Sequence, residues 1–129
     1  MRKALHDGNH PQGAKVLRNV GLAYRNLGKY TEALQYCQKA LTMREALHDG
    51  NDPEVAKVLN DIGVVYHNHL GKYTEALQYC QKALKMQQDL HEEKNHPDIA
   101  TALRDIGDAH KGLGNQAQAN EYYQQARQM

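Results

Sequence analysis

The sequence predicts an all-α protein built of three helix-turn-helix repeats, and three observations carry that prediction. The stretch Leu27 to Leu41, LGKYTEALQYCQKAL, occurs again without change at Leu70 to Leu84 and returns eroded at Leu113 to Arg127, LGNQAQANEYYQQAR. Proline follows a polar residue at His10-Pro11, Asp52-Pro53 and His96-Pro97, where its missing N–H does no harm at the first position of a helix. Between these marks the apolar residues fall at helical spacing. A chain that repeats itself in this way reads first as a stacked array.

Taken in order, ALHDGN at Ala4 to Asn9 returns at Ala46 to Asn51, but the first copy has no helix in front of it. Met1 to Asp7 is therefore expected to be the last turn or two of a helix, with 1–10 closing a truncated preceding repeat. Repeats are then expected over 11–50, 51–94 and 95–129, the last of them capping-like. Ala14, Leu17, Val20, Gly21, Tyr24 and Leu27 make one apolar stripe on a helix that starts at Pro11 and ends at Gly28. A second helix from Tyr30 carries Ala33, Leu34, Cys37, Ala40, Leu41 and Leu47. The same pair is copied at Pro53 to Leu70 with Tyr73 to Leu90, and at Pro97 to Leu113 with Gln116 to about Gln128. Turns of two or three residues make the partners antiparallel neighbours. Asp52 is the best helix cap of the three boundary residues.

Gly21, Gly63 and Gly107 sit inside helices, where each costs about 1 kcal/mol relative to Ala. Close approach of the partner helix is the simplest compensation, with Ala33, Ala76 and Ala119 as the small residues opposite. Gly63 to Gly71 spans eight residues where Gly21 to Gly28 and Gly107 to Gly114 span seven. One extra residue turns a helix by about 100°, so a π-bulge or a lengthened turn is expected near His67 to Leu70, returning Leu70 to the core. In the last helix Gln116, Asn120 and Arg127 stand where earlier copies have Tyr, Leu and Leu. A terminal repeat needs such polarity on an uncovered face, so Met129 is expected near a natural end and Met1 at a cut one.

The chain has 129 residues, is 40% hydrophobic and 24% charged, and carries a formal net charge of +1, so nothing in its balance calls for nucleic acid or an anionic membrane. Neither a secretory signal nor a run of roughly 18 apolar residues is present, and a cytoplasmic setting is expected. Trp and Phe are absent, and of the eight Tyr all but Tyr123 fall at repeat-equivalent positions. Cys37 and Cys80 are the same position in successive repeats and are expected as buried thiols. A disulfide is not expected, because equivalent positions on stacked helices usually exceed the roughly 7 Å limit between α-carbons.

With these positions in place, the chain resembles the tetratricopeptide repeat. The signature positions are Leu17, Val20, Gly21, Tyr24, Ala33, Cys37 and Ala40 in the first repeat, and Leu59, Ile62, Gly63, Tyr66, Ala76, Cys80 and Ala83 in the second. In the third they are Leu103, Ile106, Gly107, His110, Ala119, Tyr123 and Ala126. Leu stands for the usual Trp, Cys for the usual helix-B aromatic in two repeats, and the closing Pro is missing. The period of 42 to 44 residues, against about 34 in the family, is similar to the kinesin light chain variant. The likeness concerns the repeat type only.

No phosphate loop, nucleophile elbow or HExxH is present, so no catalytic residue, cofactor or metal site is expected and the chain does not read as an enzyme. His67 and His69, two apart, point to different sides of a regular helix. His6, His48 and His91 recur near the ends of helix B, where a cation suits the helix dipole.

The resemblance implies a right-handed α-α superhelix with helix A lining its concave face. The stripe beside the core stripe should line that groove: Lys15, Arg18, Asn19, Leu22 and Arg25; Lys57, Asn60, Asp61, Val64 and His67; Thr101, Arg104, Asp105, Asp108 and Lys111. Six of these are basic and three acidic. The leading expectation is a scaffold whose groove takes a protein or peptide segment with acidic residues nearest Lys15, Arg18 and Arg25. Asn19 and Asn60 would hold its backbone, and Leu22 and Val64 would seat an apolar side chain. The plainer reading is a solvated helix face. The alternatives are a module that self-associates through its uncovered N-terminal end, or a duplicated or engineered array without an evolved ligand.

Overall fold

The computed structural model describes residues 11–47, 52–91 and 96–128. Each proline opens a helix as expected: α1 (Pro11–Asn26), α3 (Pro53–Val65) and α5 (Pro97–Gly112). The Asp52 carboxylate accepts the Glu54 N–H at 3.2 Å. His96 caps its helix too, its Nδ1 accepting the Asp98 N–H at 3.1 Å. Gly28, Gly71 and Gly114 end the first helix of each pair with φ of 80°, 66° and 86°, a left-handed conformation that costs other residues about 1–2 kcal/mol. The chain then reverses into α2 (Tyr30–Leu47), α4 (Tyr73–Leu90) and α6 (Gln116–Arg127).

The helices pair as α1 with α2, α3 with α4 and α5 with α6, and successive pairs stack through α2 on α3 and α4 on α5. The result is an all-α repeat superhelix, stabilised by burying each pair's apolar face against the next. Ile62, Val58 and Leu59 of α3 form the centre of the first junction with Cys37 and Leu41. Ile99 and Leu103 of α5 do the same at the second, against Leu84.

Inside each pair the helices approach closely at the mid-helix glycine. Ala33, Ala76 and Ala119 are fully buried there, yet they bound the contact only with their carbonyls. The side chain in the space lies four residues farther on: a Cβ on Gly21 would stand 2.7 Å from Cys37 Sγ, one on Gly63 2.5 Å from Cys80 Sγ, and one on Gly107 2.7 Å from the Tyr123 ring. Next to this contact an aromatic stack recurs, Tyr24 on Tyr36, Tyr66 on Tyr79 and His110 on Tyr122, with centroids 5.4, 5.7 and 5.5 Å apart.

The extra residue of the second repeat is absorbed in a π-helical turn, Tyr66–Leu70. Its purpose differs from the expectation. Leu70 is 36% exposed and lies at the rim, as do Leu27 and Leu113 at 71% and 41%, because all three sit where the chain lifts off into the turn. What the π turn preserves is the turn itself. The Lys29 N–H closes on the Tyr24 carbonyl at 2.9 Å and the Asn115 N–H on the His110 carbonyl at 2.8 Å, each spanning five residues. The Lys72 N–H reaches the equivalent Tyr66 carbonyl at 2.9 Å across six.

In α6, Gln116, Asn120 and Arg127 are exposed, and the Gln116 amide donates to Asn120 Oδ1 at 2.9 Å. The expected remnant helix at Met1 to Asp7, with the apolar end it would leave uncovered, and the recurring His6 and His48 lie outside the described residues.

Candidate functional site

Among the charges of the expected stripe on α1, α3 and α5, one pair joins two helix pairs. Arg18 Nε donates to Asp61 Oδ2 at 2.6 Å, tying the first pair to the second. Burial works against the Arg18 charge, but the hydrogen bond and attraction of Asp61 overcome it and leave the guanidinium pKa raised. For Asp61 the balance falls the other way: burial raises its pKa above the ordinary value despite Arg18 and Arg25. Lys57 reaches Glu54 of its own helix at 3.5 Å, an exposed pair worth about 0–1 kcal/mol.

A cavity of about 250 Å³ opens between the second and third pairs, lined by Arg18, Lys57, Asn60, Asp61, Gln87, Asp98 and Thr101 among others. Five of the expected groove residues, Arg18, Lys57, Asn60, Asp61 and Thr101, thus come together on one concavity. Asn60 presents a buried side-chain oxygen with no hydrogen-bond partner. Lys15, Asn19, Arg104 and Lys111 are exposed, and Leu22, Arg25 and Val64 half-buried, but none of these seven lines the cavity. Arg104 Nη2 donates to Thr101 Oγ1 at 3.4 Å on the same helix.

Sequence reasoning did not bring in Gln87, which is buried near the end of α4, or Asp98 in the first turn of α5. Both lie at helix ends outside the stripe that helical spacing marks, and only the stacking of the pairs brings them to the cavity. The histidines separate as expected. His67 turns inward and is buried, whereas His69 stacks on Tyr30 of the preceding pair at 4.3 Å. Two groups among the described residues bring three metal-ligating atoms within 4.8 Å of one another: His67 with Asp105 and Asp108, and His91 with His96 and Asp98. In the first group His67 comes from the π-helical turn and Asp105 and Asp108 from one face of α5; in the second, His91 follows α4 while His96 and Asp98 open α5. Both cysteines are free and buried, and burial pushes the thiol pKa up to about 11 at Cys37 and about 12 at Cys80. No helix among the described residues is long and apolar enough to cross a membrane.

A family model for the tetratricopeptide repeat matches residues 14–86 and 65–129. The chain belongs to the tetratricopeptide repeat family. That fold generally mediates protein–protein interaction, and its members are mostly scaffolds without enzymatic activity. Among solved structures, BtubC (BKLC) of P. vanneervenii superposes with a TM-score of 0.87 at 25% identity, covering 97% of this chain and 50% of that one. The chain thus spans half the length of that relative. A kinesin light chain with nearly identical TPR-like repeats from Podosopora anserina matches with a TM-score of 0.78 at 17% identity, over 94% of this chain and 56% of that one. The TPR domain of Arabidopsis FLU matches with 0.78 at 24% identity, over 91% and 93%. These neighbours place the repeats in the kinesin light chain-like variety. Comparison with curated proteins by sequence finds no match.

Proposed function

We propose that this tetratricopeptide repeat chain is a non-catalytic scaffold of the cytoplasm that takes a peptide segment along the inner stripe. The observation that carries the reading is the cavity at the junction of the second and third pairs, where Arg18 and Lys57 stand beside the unpartnered Asn60 oxygen. A peptide N–H would satisfy that oxygen, which otherwise carries a desolvation penalty of about 1–3 kcal/mol. Acidic residues of the segment approach Lys15, Arg18 and Arg25. Arg18 spends Nε on Asp61, and a guanidinium has four further N–H donors for an incoming carboxylate. Leu22 and Val64 line the path between. Free buried thiols suit a reducing compartment.

The test is fluorescence anisotropy of an acidic peptide library against the wild type, an Arg18→Glu/Arg25→Glu variant and Asn60→Ala. Acidic binders should weaken at least tenfold in the charge-reversed variant. Asn60→Ala should weaken all binders about equally, because it removes a backbone contact. Unchanged affinity in the charge-reversed variant removes the electrostatic part of the reading, and the absence of any binder removes the peptide part.

A further inference from the structure

The second junction carries a cluster that peptide binding does not explain. The His67 side chain is 3% exposed, and its Nε2 is buried without a hydrogen-bond partner. It faces Asp105 Oδ1 at 3.7 Å, beyond the reach of a hydrogen bond. Asp105 Oδ2, from the next pair, is also buried and unpartnered. Buried imidazole nitrogens and carboxylate oxygens are nearly always satisfied, so two unsatisfied lone-pair donors on facing elements point to something between them. A carboxylate oxygen of Asp108 joins them, all three donor atoms lying within 4.8 Å of one another.

We propose that His67, Asp105 and Asp108 bind one divalent transition-metal ion, Zn²⁺ above others, clasping the second helix pair to the third. Zinc takes imidazole nitrogen and carboxylate oxygen at about 2.0–2.2 Å, so two donors on one ion stand at most about 4.4 Å apart. Small side-chain rotations bring the present spacing within that limit. The imidazole argues against Ca²⁺ and Mg²⁺, which prefer all-oxygen sets. Asp108 has a support of its own: the Tyr123 O–H donates to its Oδ1 at 2.5 Å, the kind of outer contact that metal ligands usually have. Tyr123 is also the tyrosine that breaks the repeat pattern, standing where the other two pairs have Cys37 and Cys80. His67 belongs to the π-helical turn, a feature frequent at functional sites.

The second histidine group is a weaker candidate. His91 and His96 are stacked at 3.5 Å, and His96 Nδ1 already accepts the Asp98 N–H. It serves as the control.

Calorimetric titration of the full chain with Zn²⁺ tests the site. Wild type and a His91→Gln/His96→Gln variant should each retain one tight ion per chain and melt higher with zinc. His67→Gln and Asp105→Asn should each weaken that ion at least tenfold and lose the melting shift. Asp105 is partly exposed, so Asp105→Asn decides should His67→Gln fail to fold. Equal affinity in wild type and Asp105→Asn overturns the proposal, as does loss of the tight ion in the control. His67, Asp105 and Asp108 belong to the same stripe as the proposed peptide path, but the two readings fail separately: a chain that binds zinc at His67 and no peptide sinks that reading and leaves this one.

Discussion

Leu27 to Leu41 and Leu70 to Leu84 are the same fifteen residues in two surroundings, and their aromatic contacts differ most where a neighbouring pair touches them. Toward their own partner helix they behave alike. Cys37 fills the space beside Gly21 as Cys80 does beside Gly63, and Tyr36 and Tyr79 stack on Tyr24 and Tyr66. Toward the next pair they diverge. Tyr30 lies flat on His69, whereas Tyr73 lies against Gly112, where any Cβ would overlap its ring. The thiols feel the next pair as charge, Cys37 through Asp61 and Cys80 through Asp105 and Asp108, but only Cys37 also has cations, Arg18 and Arg25, on its own partner helix. A repeat's own sequence sets the contacts within its pair. The next first helix decides the rest.

The hardest blow to that symmetry is Gly63→Val. With Cys80 Sγ 2.5 Å from the added Cβ and the Ala76 carbonyl at 3.4 Å, the pair must part, and urea denaturation should show a loss of about 3 kcal/mol. Adding Cys80→Ala should return part of it, because the sulfur is the first obstacle; no recovery would mean that the backbone contact dominates.

The thiols give the next effect. Burial lifts their folded pKa values above the ordinary thiol value of 9.0, to about 11 and about 12, so the folded state holds protons that the unfolded state releases. The associated stability is complete below pH 9 and is lost as pH rises through the folded values. For Cys37 the loss is on the order of 2 kcal/mol by pH 11. Urea midpoints from pH 8 to pH 11 should fall less steeply in Cys37→Ala than in wild type.

The smallest effect separates the two junctions. His69→Ala removes the ring under Tyr30 and should cost about 1 kcal/mol, seen as a few degrees in melting temperature. Tyr73, which has no such ring partner among the described residues, gives no counterpart at the second junction. A loss below about 0.3 kcal/mol would make the stack incidental.

Helix boundaries were legible because proline, the turn glycines and the copied stretch are local signals: α2 and α4 begin and end where the sequence placed them. The π turn was legible by counting from Gly63 to Gly71. The fate of Leu27, assigned to the core stripe but 71% exposed, was not, since a helical wheel does not show that the chain leaves the helix at Asn26. The inner surface was legible as a stripe but not as a network. That Arg18 meets Asp61, or that His67 meets Asp105, depends on how far one pair slides over the next. That offset comes from packing across the junction and leaves no mark at any fixed sequence interval.

The six-residue closure at Lys72 has a wider meaning. By taking up one extra residue between Tyr66 and Leu70, the chain still closes on the Tyr66 carbonyl and starts the next helix at Tyr73, as it does at Tyr30. The added residue thus leaves His67 buried toward the third pair and His69 against the first, one turn serving both neighbours.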